Sequence, residues 1–153
     1  MVTLKKFYTT HITQKYINWL NDKHTIKHTS IKKKVNRNDV IKYVKRHQHN
    51  NSEKLYRIIY KNKHIGNLRI QYLDYKTATI GILIGEKKLH SKGIGTVTIK
   101  HAIKLIEKTG VNTIRVNVNT RNVSSLKIFK RNKFKVTKKK GNSFILLYKL
   151  KNY

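Results

Sequence analysis

Residues 80–96 read Ile80-Gly-Ile-Leu-Ile-Gly85-Glu-Lys-Lys-Leu-His90-Ser-Lys-Gly-Ile-Gly95-Thr96, and this stretch decides the fold. The apolar run ending at Gly85 reads as a buried strand. A short basic loop follows, and Gly93-Ile94-Gly95 opens onto a helix. Helix N-termini carry unpaired N–H groups and a partial positive charge, so such a loop suits an anion. Gly93 and Gly95 let the backbone approach closely, and Lys92 adds a mobile cation. The pattern fits the pyrophosphate of a nucleotide-like cofactor; an ordinary helix-entry turn is the alternative.

Downstream, Gly95 to Thr109 reads as a helix with Ile99, Ala102, Ile103 and Ile106 on one side, and Gly110 as its stop signal. Thr113 to Asn119 alternates as a strand, with Ile114, Val116 and Val118 inward. Strand, helix and strand make one right-handed crossover, so these two strands should be parallel. Val123 to Arg131 is a short helix. Phe134–Thr137 and Ser143–Leu150 form a hairpin around a turn at residues 138–142.

Upstream, Leu55–Tyr60, His64–Leu73 and Ala78–Ile84 form an antiparallel meander, joined by turns at residues 61–63 and 74–76. In its middle strand Leu68, Ile70 and Tyr72 face one way, and Asn67, Arg69 and Gln71 the other. Val2 to Phe7 reads as a first strand. Thr10 or Thr13 caps a helix over Gln14 to Leu20, and Asn36 or Asn38 caps another reaching His49. Residues 23–36 read as a basic link. Its Lys32-Lys33-Lys34 is a solvated loop or the entrance to an acceptor site.

At 153 residues the chain reads as one domain, 1–153. No apolar run can span a bilayer, and the first residues lack a signal-peptide pattern, so the expectation is a cytoplasmic protein. The absence of cysteine excludes disulfides, thiolate zinc sites and a cysteine nucleophile. The histidines lack metal-ligand spacing, so no metal is expected. Charge stands out: 36 Lys and Arg against 6 Asp and Glu give +30. Such a field attracts polyanions, so contact with nucleic acid or the ribosome is a candidate property. With 29 Lys, 19 Ile and 15 Asn against 7 Arg, AT-rich codons are a competing explanation.

The order of elements, together with two motifs, resembles the GNAT superfamily of acyl-CoA N-acyltransferases. His90-Ser-Lys-Gly-Ile-Gly95 is similar to that family's Gln/Arg-x-x-Gly-x-Gly/Ala motif, differing at its first position. Asn122-Val-Ser-Ser-Leu-Lys-Ile-Phe-Lys-Arg-Asn-Lys-Phe134 resembles its Asn-x-x-Ser-x-x-x-Tyr-x-Lys-x-Gly-Phe segment. Residues 12–22 and the strand His64-Ile-Gly-Asn-Leu-Arg-Ile70 resemble one branch in particular. It holds ribosomal-protein N-terminal and amino-sugar-nucleotide N-acetyltransferases. The resemblance implies a mixed α/β (α+β) fold: a mainly antiparallel sheet of about seven strands, about four helices, and a splayed parallel pair forming the CoA cleft.

It further implies an N-acetyltransferase using acetyl-CoA as cosubstrate, without metal. Pantetheine would pair with the backbone of Leu83, Ile84 and Gly85. The pyrophosphate would lie against Ser91, Lys92, Gly93, Ile94, Gly95 and Thr96, with His90 as a further donor. Asn122, Ser125 and Phe129 would line the same channel. A backbone N–H at the end of the Ile80–Ile84 strand would stabilise the developing oxyanion. The family's tyrosine acid aligns with Phe129, which has no proton to give. That leaves solvent, Ser125, Tyr148 or Tyr72.

Glu86 is the carboxylate nearest the cleft in sequence and the candidate base, or an offset to its lysine neighbours. Asn67 and Arg69 reach the acceptor or face water. Trp19 is a core residue or a substrate platform. The expected acceptor is a primary amine on an anionic molecule such as an amino-sugar nucleotide. Alternatives are a protein N-terminus or lysine on a ribosomal protein, an aminoacyl-tRNA, or a non-catalytic module holding CoA or nucleic acid. A monomer or a homodimer fits the sequence.

Overall fold

β4 (Thr77–Ile84) and β5 (Thr113–Asn119) lie side by side and parallel, yet only Thr77 pairs with Thr113 and Ala78 with Ile114. This is a computed structural model, and it describes residues 1–28 and 33–151. Beyond that short contact each strand stays with its other neighbour. β4 pairs with β3 (Lys63–Tyr72) as far as Ile84–Gly66, and β5 pairs with β7 (Ser143–Lys149) as far as Asn119–Ser143. The two therefore splay into a wedge open at the Ile84 end.

Seven strands form one sheet in the order β1-β2-β3-β4-β5-β7-β6, with β1 Val2–Lys6, β2 Glu53–Tyr60 and β6 Lys135–Lys140. Every neighbouring pair except β4–β5 is antiparallel. Five α-helices are described: α1 Gln14–Asn21, α2 Lys23–His28, α3 Arg37–Gln48, α4 Ile94–Glu107 and α5 Val123–Arg131.

Local chemistry explains the helix starts. Thr13 Oγ1 accepts from the Tyr16 N–H, 3.1 Å, while Asn36 and Asp39 form a reciprocal capping box at 2.9 Å. Each cap is worth about 1 kcal/mol. Apolar side chains then sort into two cores. Ile99, Ala102, Ile103 and Ile106 of α4 and Leu126 and Phe129 of α5 bury against Leu68, Ile70, Ile114 and Val116 of the sheet. A second core joins Phe7, Tyr16, Ile17, Trp19 and Leu20 with Val40, Val44 and Leu55.

Three expectations are corrected. The link at 23–36 contains helix α2, nucleated where the Asp22 carboxylate accepts from the His24 N–H, 2.9 Å. With α2 the described residues hold five α-helices, where about four were expected. Lys138, Lys139 and Lys140 belong to strand β6, and the hairpin turn is only Gly141-Asn142, with Gly141 at φ 58°. Edge strands tolerate exposed lysines because their outer backbone needs no partner strand. Of the Lys32–Lys34 run, Lys32 lies outside the described residues, and Lys33 and Lys34 are exposed.

Candidate active site

The loop from β4 to α4 is shaped by two residues in left-handed conformation, Ser91 at φ 64° and Gly93 at φ 81°. Gly93 is the N-cap of α4 and offers no side chain, so the amides of Ile94, Gly95 and Thr96 have no partner among the described residues. Open space lies where a Gly93 side chain would point. A Cβ at Gly95 would meet Ile128 Cδ1 at 2.5 Å, so glycine there lets α5 pack close beneath the loop. Thr96 Oγ1 is buried without a hydrogen-bond partner. Unbonded amides at the positive end of a 14-residue helix, an orphaned hydroxyl and the exposed Lys92 are the donor set a pyrophosphate requires. The residues present therefore fit the phosphates of acetyl-CoA.

The His90 ring turns back on its own strand, where Nε2–H donates to the Ile84 carbonyl, 2.8 Å. A neutral ring bonded this way leaves Nδ1 as an acceptor, so donation to a phosphate requires the protonated form. The Gly85 N–H donates to the Ile65 carbonyl, 2.8 Å, and the Leu83 carbonyl lies against Gly66. Because backbone groups alternate along an antiparallel ladder, those of Leu83 and Gly85 face β3 while those of Ile82 and Ile84 face the wedge. Asn122 Oδ1 caps α5 by accepting from the Ser125 N–H, 3.2 Å, which leaves its amide nitrogen for another acceptor. Ser125 is half-buried, and Phe129 is buried against Phe134, ring centroids 5.0 Å apart.

Neither tyrosine candidate for the acid reaches the open end. Tyr72 stands opposite Ala78 and Tyr148 opposite Ile114, both at the closed end of the wedge. The separation along β4 is about 20 Å at strand rise.

At the open end a cavity of about 350 Å³ lies between α1, α2 and the loop after β4, lined by Asn18, Trp19, Asp22, Gly85 and Glu86 among others. Trp19 is both core residue and wall: it is buried, and its Cδ2 would lie 2.0 Å from a Cβ on Gly85. Glu86 is ion-paired with Lys15, and Asp22 with Lys87 at 3.2 Å. The Lys87 hydrogen bond holds the Asp22 carboxyl below its usual range. Sequence reasoning placed no helix at α2, so Asp22, His24 and Thr25 were missed as wall residues; the Asp22-x-His24 start was the available signal.

Asn67 and Arg69 lie on the α1–α3 side of the sheet, both tied internally. Asn67 is buried and accepts from Tyr16 O–H, 3.0 Å. Arg69 Nη2 donates to Glu53 Oε1 at 2.5 Å, and Arg69 Nε to His47 Nε2 at 3.2 Å. His47 is therefore neutral, its Nδ1–H donating to the Tyr43 carbonyl, 2.7 Å; burial lowers its pKa. Burial opposes ionisation of Glu53, but Arg69 and Arg46 outweigh it and hold the carboxyl low.

The profile of the acetyltransferase (GNAT) domain family matches residues 2–135. The chain belongs to the GNAT acetyltransferase family. One curated relative of this GNAT chain, the uncharacterized protein MJ1062 of Methanocaldococcus jannaschii, is 32% identical over 75 residues. That match spans 49% of the chain but only 16% of the relative's length.

Among solved structures, a domain from the same organism superposes with a TM-score of 0.80 at 22% identity, covering 98% of this chain and 99% of that one. The Campylobacter jejuni N-acetyltransferase PseH in complex with acetyl-CoA gives 0.71 at 19% identity, covering 99% and 100%. A spermidine N-acetyltransferase from Vibrio cholerae, solved with CoA and spermine, gives 0.78 at 14% identity, covering 97% and 95%. The fold is thus that of N-acetyltransferases solved with acetyl-CoA or CoA. No described helix is long and apolar enough to cross a membrane.

Proposed function

We propose that this chain transfers the acetyl group of acetyl-CoA to a primary amine held in the cavity beside Trp19 and Glu86. One observation carries the reading: at the open end of the β4–β5 wedge, the single loop after β4 supplies both the cavity wall at Gly85 and Glu86 and the bare amides of residues 94–96. Acetyl-CoA supplies an activated thioester when bound. The amides of residues 94–96, Thr96 Oγ1 and Lys92 hold its phosphates, and the wedge-facing backbone of Ile82 aligns its arm.

Glu86 accepts a proton from the incoming ammonium, and the neutral amine attacks the thioester carbonyl. The Ile84 N–H, turned into the wedge, donates to the oxygen on which negative charge develops. Holding both reactants in one cleft contributes several kcal/mol to the rate. With Phe129 lacking a proton and Tyr72 and Tyr148 distant, Ser125 or water protonates the departing thiolate.

The acceptor best suited to a chain of net charge +30 is an amine on an anionic molecule, such as an amino-sugar nucleotide. Thiol release from acetyl-CoA over a panel of amino-sugar nucleotides, polyamines and peptide N-termini tests this. The highest kcat/KM is expected for the phosphorylated amine, falling as salt rises. A polyamine as best substrate overturns the acceptor charge. Acetyl-CoA binding without thiol release for any amine overturns the enzyme reading.

A further inference from the structure

We propose that Lys15 is acetylated by the active site of its own chain, an inference that rests on the transferase reading above. Lys15 lies in the first turn of α1, and its ammonium contacts Glu86 Oε1 while sitting 5.8 Å from the Trp19 ring centroid. Among the described residues Glu86 Oε1 is buried without a hydrogen-bond partner, and the Lys15 ammonium is the counter-charge in contact with it. Glu86 follows Ile84 by two residues, at the mouth of the wedge. The group already docked on the candidate base is therefore a primary amine belonging to the chain.

Mobility completes the case. The Lys15 side chain is 63% exposed and hangs on a four-carbon stem, so its amine can swing from the carboxylate toward the wedge. Lys87 is a close comparison, 71% exposed and also ion-paired, but its partner is Asp22. Among the described lysines only Lys15 is ion-paired with Glu86.

The chemistry balances without another reactant. Glu86 takes one proton from the Lys15 ammonium and passes it to water. The amine lone pair forms the N–C bond to the acetyl carbonyl carbon as the C–S bond breaks, and the second proton leaves with the thiolate. The products are N-acetyl-Lys15 and free CoA. Acetylation removes the charge that neutralises Glu86, so the modified chain presents that carboxylate free to an incoming ammonium.

Incubating the full chain with acetyl-CoA and no acceptor, followed by peptide mapping, tests the inference. Lys15 is expected to acetylate at least about tenfold faster than Lys87, with a rate constant independent of protein concentration, because the amine is held intramolecularly. Glu86→Gln should bring Lys15 down to the Lys87 rate. A reading without acetyl-CoA is brief labelling with acetic anhydride: Lys15 should label more slowly than exposed Lys92, and Glu86→Gln should erase that difference.

Equal rates at Lys15 and Lys87, alongside thiol release with an added amine, overturn the inference and leave the transferase reading standing. Unchanged Lys15 acetylation in Glu86→Gln also overturns it. Failure to bind acetyl-CoA overturns both.

Discussion

The entry to α4 leaves three amides and one hydroxyl without partners, whereas the cavity beside α1 has each carboxylate paired with a lysine. In the proposed reading the first region would hold its ligand mainly with backbone, and its geometry depends on where glycine stands. The second is walled by side chains from α1, α2 and the β4–α4 loop, and depends on how those elements meet. A ligand at the first fills bare valences, while an acceptor at the second displaces existing contacts. The donor end is expected to depend most on its glycines and less on single side chains such as Thr96. The acceptor end is expected to respond to single side-chain changes.

The largest expected effect breaks the donor end. Gly93→Asp places a carboxylate where the phosphates belong, at a φ of 81° that costs a non-glycine residue about 1 kcal/mol. Acetyl-CoA affinity measured by calorimetry should fall by about a hundredfold, as expected when like charge replaces a helix-end anion site. Unchanged affinity in a folded variant removes the donor site from this loop.

Gly85→Ala should strike the acceptor end instead. The new methyl lands on Trp19 at 2.0 Å, so the indole must shift, at a cost of about 1–3 kcal/mol in unfolding free energy. KM for the amine should rise while acetyl-CoA affinity stays within twofold, roughly 0.4 kcal/mol. Loss of donor affinity would show that the two regions are not separable.

Thr96→Val should split the signs. Removing an orphaned buried hydroxyl stabilises the free chain slightly, while the loss of a donor weakens acetyl-CoA binding by about 1 kcal/mol. Thermal melts with and without acetyl-CoA read both. A variant that binds as before assigns Thr96 to packing alone.

The smallest effect is on pH dependence. His64 lies among Phe7, Tyr16 and Trp19, its Nε2–H donating to the Gly66 carbonyl at 2.9 Å. Burial pulls its pKa from 6.5 to about 4. The unfolded chain therefore binds the proton first, and its contribution to stability, full above pH 6.5, is lost as pH falls toward 4. Urea titrations should show this decline, and His64→Gln should flatten it. An unchanged slope assigns the loss to other groups such as His47.

Much of the element layout around the α4 entry was legible because its signals are local. Thr113–Asn119 and Val123–Arg131 have the bounds that alternation and helical spacing predict, and the α1 cap is Thr13. Glycine positions, periodicity and capping act within a few residues, so a linear reading captures them. α2 escaped because Lys23-His-Thr-Ile-Lys-His28 has little apolar periodicity, and short helices take their stability from tertiary packing. Lys138–Lys140 looked like a turn because lysine is a poor strand former, yet pairing with β7 overrides propensity at an edge.

By itself, the sequence determined the element order, the glycine-bearing turn that opens α4, and Asn122 at the start of α5. Tertiary structure alone decided what occupies the remaining polar groups. Asn67 and Arg69 are tied to Tyr16, Glu53 and His47, the two tyrosines stand at the wrong end of the wedge, and Lys15 rests on Glu86. Backbone recognition is written in local dihedral preferences. Side-chain recognition depends on residues 51 or 71 positions apart, and spacing along a chain carries no information about such meetings until the sheet has formed.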